Sequence, residues 1–189
     1  MKRLKLKRGL KNKFIFENGL EVGLSNEIIS KYSLKQREEL SHEEYLKVLE
    51  LAALSTSYYY LAKRDYSEKE IYMKLIRKYR EKTSISKVIR ELKEKEYLDD
   101  FLFATNYIQN QNIGRKKIEF NLKLKGISED IISKVFSEYD NSEELESLKK
   151  KWLKLKGIDI NKKIMSLMRK GYSYSDIKKV KTLCEEEEW

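Results

Sequence analysis

The sequence has no proline, one cysteine, one histidine and seven glycines in 189 residues. Each shortage excludes something. Without proline the strongest helix breaker is missing, so helices can run long. Cys184 has no partner for an internal disulfide, which fits a reducing compartment. His42 and Cys184 stand too far apart to seed a metal cluster of recognisable spacing. The glycines are scattered, and neither of the glycine-rich loops that cradle phosphates, G-x-x-x-x-G-K or G-x-G-x-x-G, occurs. No apolar run approaches the roughly 18 residues of a membrane span, and Met1 leads into charge rather than into the apolar core of a secretory signal. Asp99-Asp100 invites an acid–base reading, but neighbouring helical residues diverge by about 100°, and helix capping explains the pair better. The expectation is a cytoplasmic protein that is not an enzyme and carries no cofactor or metal.

Charge is what the chain has in excess. Lysine and arginine number 41 against 31 acids, for a formal net charge of +10, and 38% of residues are charged against 40% hydrophobic. That balance favours a polyanionic partner, and it suits an elongated array of small helical modules better than one large core.

The module is clearest from Tyr97 to Phe136. Asp99 or Asp100 can cap a helix whose buried face carries Phe101, Ala104, Tyr107 and Ile108. After the polar break Asn110-Gln111-Asn112-Ile113-Gly114, a second helix sets Ile118 and Leu122 one turn apart. Gly126 fits its left-handed terminus, and Ser128 caps a third helix through Ile131, Ile132, Val135 and Phe136. The unit recurs. Tyr60, Ile71 and Val88 precede Tyr107, Ile118 and Val135 by 47 residues, and Trp152 or Leu153, Ile164 and Val180 follow at 45 or 46. In the first copy, Ser41 and Ser67 open capping boxes with Glu44 and Glu70, and Ser84 starts the third helix. In the third, Asp140-Asn141-Ser142-Glu143, Asn161 and Ser175-Asp176 lead the helices, and Gly171 takes the role of Gly126.

Ahead of the repeats, Lys2, Arg3, Lys5, Lys7, Arg8, Lys11 and Lys13 alternate in part with Leu4 and Leu6, as in a half-exposed strand. Phe14-Ile15-Phe16 and Leu20-Glu21-Val22 flank Asn18-Gly19, the signature of a type I′ hairpin. This predicts a three-stranded element with the basic strand at an edge, followed from Glu27 to Glu39 by a short helix and a loop. The fold class expected is mainly α: three tandem three-helix repeats in an elongated array, with a small N-terminal β segment. The divisions are 1–40 for the β-rich extension, 41–97, 98–140 and 141–184 for the repeats, and 185–189 for an acidic tail.

The middle helix of each repeat is basic. The candidate binding residues are Arg77, Lys78 and Arg80 in the first, Arg115, Lys116, Lys117, Lys123 and Lys125 in the second, and Lys162, Lys163, Arg169 and Lys170 in the third. Three cations at a helix N-terminus oppose the macrodipole, by about 0.3–1 kcal/mol each when exposed, and a partner's negative charge would offset this.

These residues carry a family resemblance. Tyr66-Ser67-Glu68-Lys69-Glu70, then Tyr97-Leu98-Asp99-Asp100 with Phe103-Ala104 and Tyr107, then Gly114, Lys117-Ile118, Leu122 and Lys125-Gly126-Ile127, resemble the signatures of the RecX family of RecA recombinase regulators. The likeness spans about residues 45 to 183; Tyr79 departs from it, standing where the first repeat would often have glycine. The resemblance implies a curved rod of three repeats lying in the groove of the RecA filament on single-stranded DNA. It implies restraint of ATP hydrolysis, filament growth and strand exchange, with roles in DNA repair, homologous recombination and the SOS response. The charge alone also allows direct DNA binding. No membrane partner is expected, and the chain is expected to be a monomer.

Overall fold

The structure, a computed structural model, describes residues 3–139, 141–155 and 157–186; of Arg3, Asn141 and Glu143 it describes the backbone only. Lys2, Asp140 and the terminal Glu187, Glu188 and Trp189 lie outside the described residues. The chain is mainly α with a small N-terminal antiparallel sheet. It divides into two compact units, 1–99 and 100–189.

Unit 1 begins with β1 (Arg3–Arg8), β2 (Lys13–Phe16), β3 (Glu21–Gly23), α1 (Asn26–Lys31) and β4 (Glu39–Ser41). The sheet order is β3-β2-β1-β4, antiparallel throughout. The alternation in β1 and β2 works as expected: Leu6, Phe14, Phe16 and Val22 are buried while Lys5, Lys7, Lys13 and Ile15 are exposed. Two expectations need correcting. The basic strand is internal, because Glu39–Ser41 forms a fourth strand on its far side, pairing Leu4 with Leu40. And Gly19 alone of the Asn18-Gly19 pair has positive φ (75°), so the turn is not type I′. Phe16 accepts from the Gly19 N–H and donates to the Leu20 carbonyl, which is a three-residue loop with a left-handed glycine at its end.

The rest of unit 1 is α2 (His42–Leu61), α3 (Glu68–Tyr79) and α4 (Lys82–Glu94). Both capping boxes form, at Ser41/Glu44 and Ser67/Glu70. Ser84 does not start α4. Glu81 caps it, accepting from the Thr83 N–H, and Ser84 is buried inside the helix, its hydroxyl donating to the Leu46 carbonyl of α2. The sheet and this triplet share one core, with the Phe16 and Tyr45 rings edge-on at 4.9 Å.

Unit 2 holds α5 (Asp100–Gln109), α6 (Arg115–Leu124), α7 (Glu129–Glu138), α8 (Asn141–Lys154), α9 (Ile160–Arg169) and α10 (Tyr174–Glu186). Two cores form, one under α5–α7 and one under α8–α10. In all three triplets the first and third helices pack closely together. The repeated anchors occupy matching places: Val88, Val135 and Val180 are buried, as are Ile71 and Ile118, with Ile164 half-buried. Trp152, 7% exposed, fills the aromatic position, and Leu153, 39% exposed, does not. Phe103 replaces Phe101 on the buried face of α5, and Phe101 and Tyr107 are half-buried beside it. Two caps fall earlier than expected. Asp159 accepts from the Asn161 and Lys162 N–H groups, and Ser173 accepts from Asp176 N–H. Helix α10 extends through Glu186, so Glu185 and Glu186 are helical, and Glu185 pairs with Lys181 at 3.6 Å.

Gly126 (φ 89°) and Gly171 (φ 96°) end α6 and α9 in left-handed backbone, as expected. At the end of α3 the left-handed residue is Arg80 (φ 56°) rather than Tyr79, which is buried and donates its hydroxyl to the Ala52 carbonyl at 2.8 Å. A left-handed non-glycine residue costs about 1–2 kcal/mol. Arg80→Gly should therefore raise the unfolding free energy of unit 1 by up to about 1 kcal/mol in urea titrations.

Glu44 supports a second prediction. Its carboxylate grips Arg37 through two hydrogen bonds (2.7 and 2.9 Å) and accepts from the Ser41 N–H. The Arg37 hydrogen bonds, with that N–H, lower its pKa to about 2. A depressed carboxylate stabilises the fold above its unfolded pKa, and that contribution is lost as pH falls through the folded value. Melting temperature should drop between about pH 4.5 and pH 2, and less steeply in Glu44→Gln.

Candidate interaction surface

Helix α6 begins without a cap of its own: Gly114 stands at the N-cap and has no side chain to accept a hydrogen bond. The following triplet satisfies the exposed amides instead. The Arg115 N–H donates to Glu144 Oε1 of α8 at 2.9 Å, and the Lys116 N–H donates to the Gly171 carbonyl at the end of α9 at 3.1 Å. The Gly114 N–H itself donates to the Lys170 carbonyl at 2.9 Å. These bonds need two glycines back to back. A Cβ on Gly114 would lie 2.2 Å from the Tyr172 nitrogen, and one on Gly171 would lie 2.4 Å from Lys117 Cβ. The polar break before Gly114 joins in, as Asn112 accepts from Ser147 (2.8 Å) and from the Lys151 ammonium. A cleft of about 280 Å³ lies alongside, lined by Asn112, Phe136, Glu144 and Tyr172 among others.

This joint changes the reading of the three cations at the start of α6. The chain's own Glu144 supplies negative charge against the macrodipole at this helix start. Burial pushes the Glu144 carboxyl above the ordinary carboxylate range, against the pull of the Arg115 N–H.

The candidate cations then sort by environment. Arg115 is engaged internally, bonded to Glu119 at 2.8 Å with its guanidinium 4.3 Å from the Phe136 ring centre. Lys123 pairs with Glu129 at 2.6 Å, Lys163 lies over Trp152, and Lys125 lies beside Phe103 and Tyr107. Arg169 donates to the Met165 carbonyl at 3.4 Å. Lys78 donates to the Thr56 hydroxyl, and burial draws its pKa below the ordinary lysine value. Arg77, Arg80, Lys116, Lys117, Lys162 and Lys170 are exposed and, among the described residues, have no carboxylate within 4 Å. In unit 2 the joint brings the start of α6, with Lys116 and Lys117, to the end of α9, with Lys170. Arg77, Lys78 and Arg80 belong to unit 1.

Sequence reasoning missed the apolar residues beside these lysines. Phe120 and Leu124 of α6 and Met165 and Met168 of α9 are all exposed. Phe120, Leu124 and Met165 fall off the stripe that buries Ile118, Leu122 and Leu167, and that mismatch was the available signal. Met168, one turn after Ile164, reads from spacing as part of the apolar side of α9, yet it is 42% exposed. An exposed mixture of cations, phenylalanine, leucine and methionine fits a protein surface better than a bare phosphate backbone. Among the described residues no group of three His, Cys, Asp or Glu could hold a metal ion, and no helix is long and apolar enough to cross a membrane.

Known proteins share this architecture. A protein of Clostridium tetani named regulatory protein RecX is 30% identical over 175 residues, covering 84% of this chain and 81% of the relative. The chain belongs to the RecX family. The regulatory protein RecX of Clostridium acetobutylicum is 28% identical, covering 87% of this chain and 85% of its own length. A crystal structure of regulatory protein RecX superposes with a TM-score of 0.65 at 20% identity, covering 95% of this chain and 99% of that one. The crystal structure of RecX from Lactobacillus salivarius gives 0.66 at 23% identity over 72% of this chain and 97% of its own. At those identities the two structures establish the RecX fold. No family model matches the chain.

The joint makes a sharp prediction. Gly171→Ala adds left-handed strain of about 1–2 kcal/mol to overpacking of about 1–3 kcal/mol, so it should cost on the order of 3 kcal/mol in urea unfolding. Gly157→Ala (φ 78°), where an added Cβ meets nothing within 4 Å, carries the strain alone and should cost less. Amide exchange at Arg115 and Lys116 should accelerate in the first variant and not in the second.

Proposed function

We propose that this RecX-family chain regulates RecA by binding the recombinase filament on single-stranded DNA, in its groove, and restraining ATP hydrolysis, filament growth and strand exchange. The three triplets act as successive modules of a monomer. The observation that carries the reading is the face around the joint of unit 2. There Lys116, Lys117 and Lys170 come together without carboxylate partners among the described residues, near exposed Phe120 and Leu124. Cations steer the protein to a negatively charged assembly, and the apolar side chains supply desolvated contact once it docks. The regulatory role of named relatives supports it too.

The test is RecA ATP hydrolysis on preformed single-stranded filaments with DNA in excess. Wild-type chain should lower the rate. The Lys116→Glu, Lys117→Glu, Lys170→Glu triple variant should need roughly tenfold more protein for the same effect, about 1.4 kcal/mol of binding free energy. Arg115 stays unmutated because it braces the fold. Equal inhibition by wild type and triple variant would refute the assigned surface. Inhibition that vanishes when DNA is raised further would favour direct competition for DNA.

A further inference from the structure

The last turn of helix α2 carries three consecutive tyrosines, Tyr58-Tyr59-Tyr60, before Leu61, and Tyr66 follows on the turn into α3. Their rings form a string. Tyr59 and Tyr60 are 6.0 Å apart between centres, and Tyr60 and Tyr66 are 6.1 Å apart. On the other side Tyr58 meets Tyr97 edge-on at 5.1 Å. Cations are laid along the string. Lys63 Nζ is 4.1 Å from the Tyr59 ring centre, the Arg64 guanidinium 3.6 Å from Tyr66, and Lys74 Nζ 4.8 and 5.4 Å from Tyr60 and Tyr66.

We propose that this end of α2, with Tyr59 at its centre and Lys63 and Lys74 beside it, is a stacking site for the bases of single-stranded nucleic acid. Packing accounts for Tyr58, Tyr60 and Tyr66, which lie in or against the first core. It does not account for Tyr59, which is outside that core and 59% exposed, nor for Tyr97 at 54%. The charges point the same way. In this unit Lys47, Lys87, Arg90 and Lys93 each have a carboxylate within 4 Å. Lys63, just past the end of α2, and Lys74, Arg77 and Lys78 of α3 have none among the described residues, as is also true of Lys31 and Lys82 elsewhere in the unit. Arg64 is held by Glu70 and by the Asp65 carbonyl, so it braces the Tyr66 ring rather than reaching outward. Farther along, Lys78 and Thr56 extend the strip by one helical turn.

Ring and cation side by side match the two chemistries of every nucleotide; Lys63 donates to the Tyr59 hydroxyl and has no carboxylate within 4 Å among the described residues. The ring offers a π-face to a base of any identity, and the cation offsets the adjoining phosphate. A double helix hides its base faces, so the ligand is a single strand. This site lies in unit 1 and needs no recombinase, so it stands apart from the filament reading and is tested without one.

The measurement is fluorescence anisotropy of a labelled oligo(dT) with the full chain alone. An abasic strand of equal length serves as comparison. Oligo(dT) should bind more tightly than the abasic strand. Tyr59→Ala should weaken oligo(dT) binding roughly 5- to 100-fold, the range for removal of one base stack. Tyr59→Phe keeps the ring and should bind as wild type does. Lys63→Gln combined with Lys74→Gln should flatten the salt dependence, by about 0.7 in the log–log slope for each phosphate no longer neutralised. Tyr59 is exposed, so its variants should melt as wild type does. Unchanged oligo(dT) affinity in Tyr59→Ala, or equal affinity for the abasic strand, would overturn the proposal.

Discussion

The second unit depends on a helix that cannot cap itself. Helix α6 opens on glycine followed by three cations, an unfavourable start for an isolated helix on both hydrogen bonding and macrodipole grounds. What makes it tenable is the neighbouring triplet, which lends a carboxylate from Glu144 and a carbonyl from Gly171. The two glycines are the steric condition for that exchange. Stacking of the second and third triplets is thus written into backbone hydrogen bonds and not left to side-chain packing alone. Repeat proteins generally hold together through such nearest-neighbour terms. Here the term can be named atom by atom.

The same joint gathers the cationic surface. Because the end of α9 supplies the carbonyls, Lys170 is carried to the start of α6, where Lys116 and Lys117 point outward. Arg115, at the first position, turns instead toward Glu119 and Phe136. One residue of a basic triplet is structural and two face solvent. A fold built for its own stability therefore leaves charge available to a partner.

Much of this was legible in the sequence. The repeat, its buried anchors and most of the helices follow from spacing, and both serine–glutamate boxes form where the pattern places them. The misread helix starts share a cause: they concern which of several polar neighbours does the capping. Ser84, Asn161 and Ser175 each stand two or three residues inside the true start, and the real caps are Glu81, Asp159 and Ser173. Local sequence offers several candidates and only tertiary contacts choose. Strand β4 escaped notice because three residues cannot show an alternation. Glu144 was hidden for a stronger reason. It lies 29 residues from the amide it serves, and a glutamate near the start of a helix looks like an ordinary dipole partner.

The internal position of β1 has a consequence for how the sheet meets its surroundings. A lysine-bearing strand at an edge would guard unpaired backbone groups against another chain. In this sheet the two open edges belong to β3 and β4, each only three residues long and so too short to template an intruding strand. Brevity does the guarding. The lysines of β1 are thereby released onto the sheet's outer face, where they keep a surface that backs directly onto a hydrophobic core wetted and soluble.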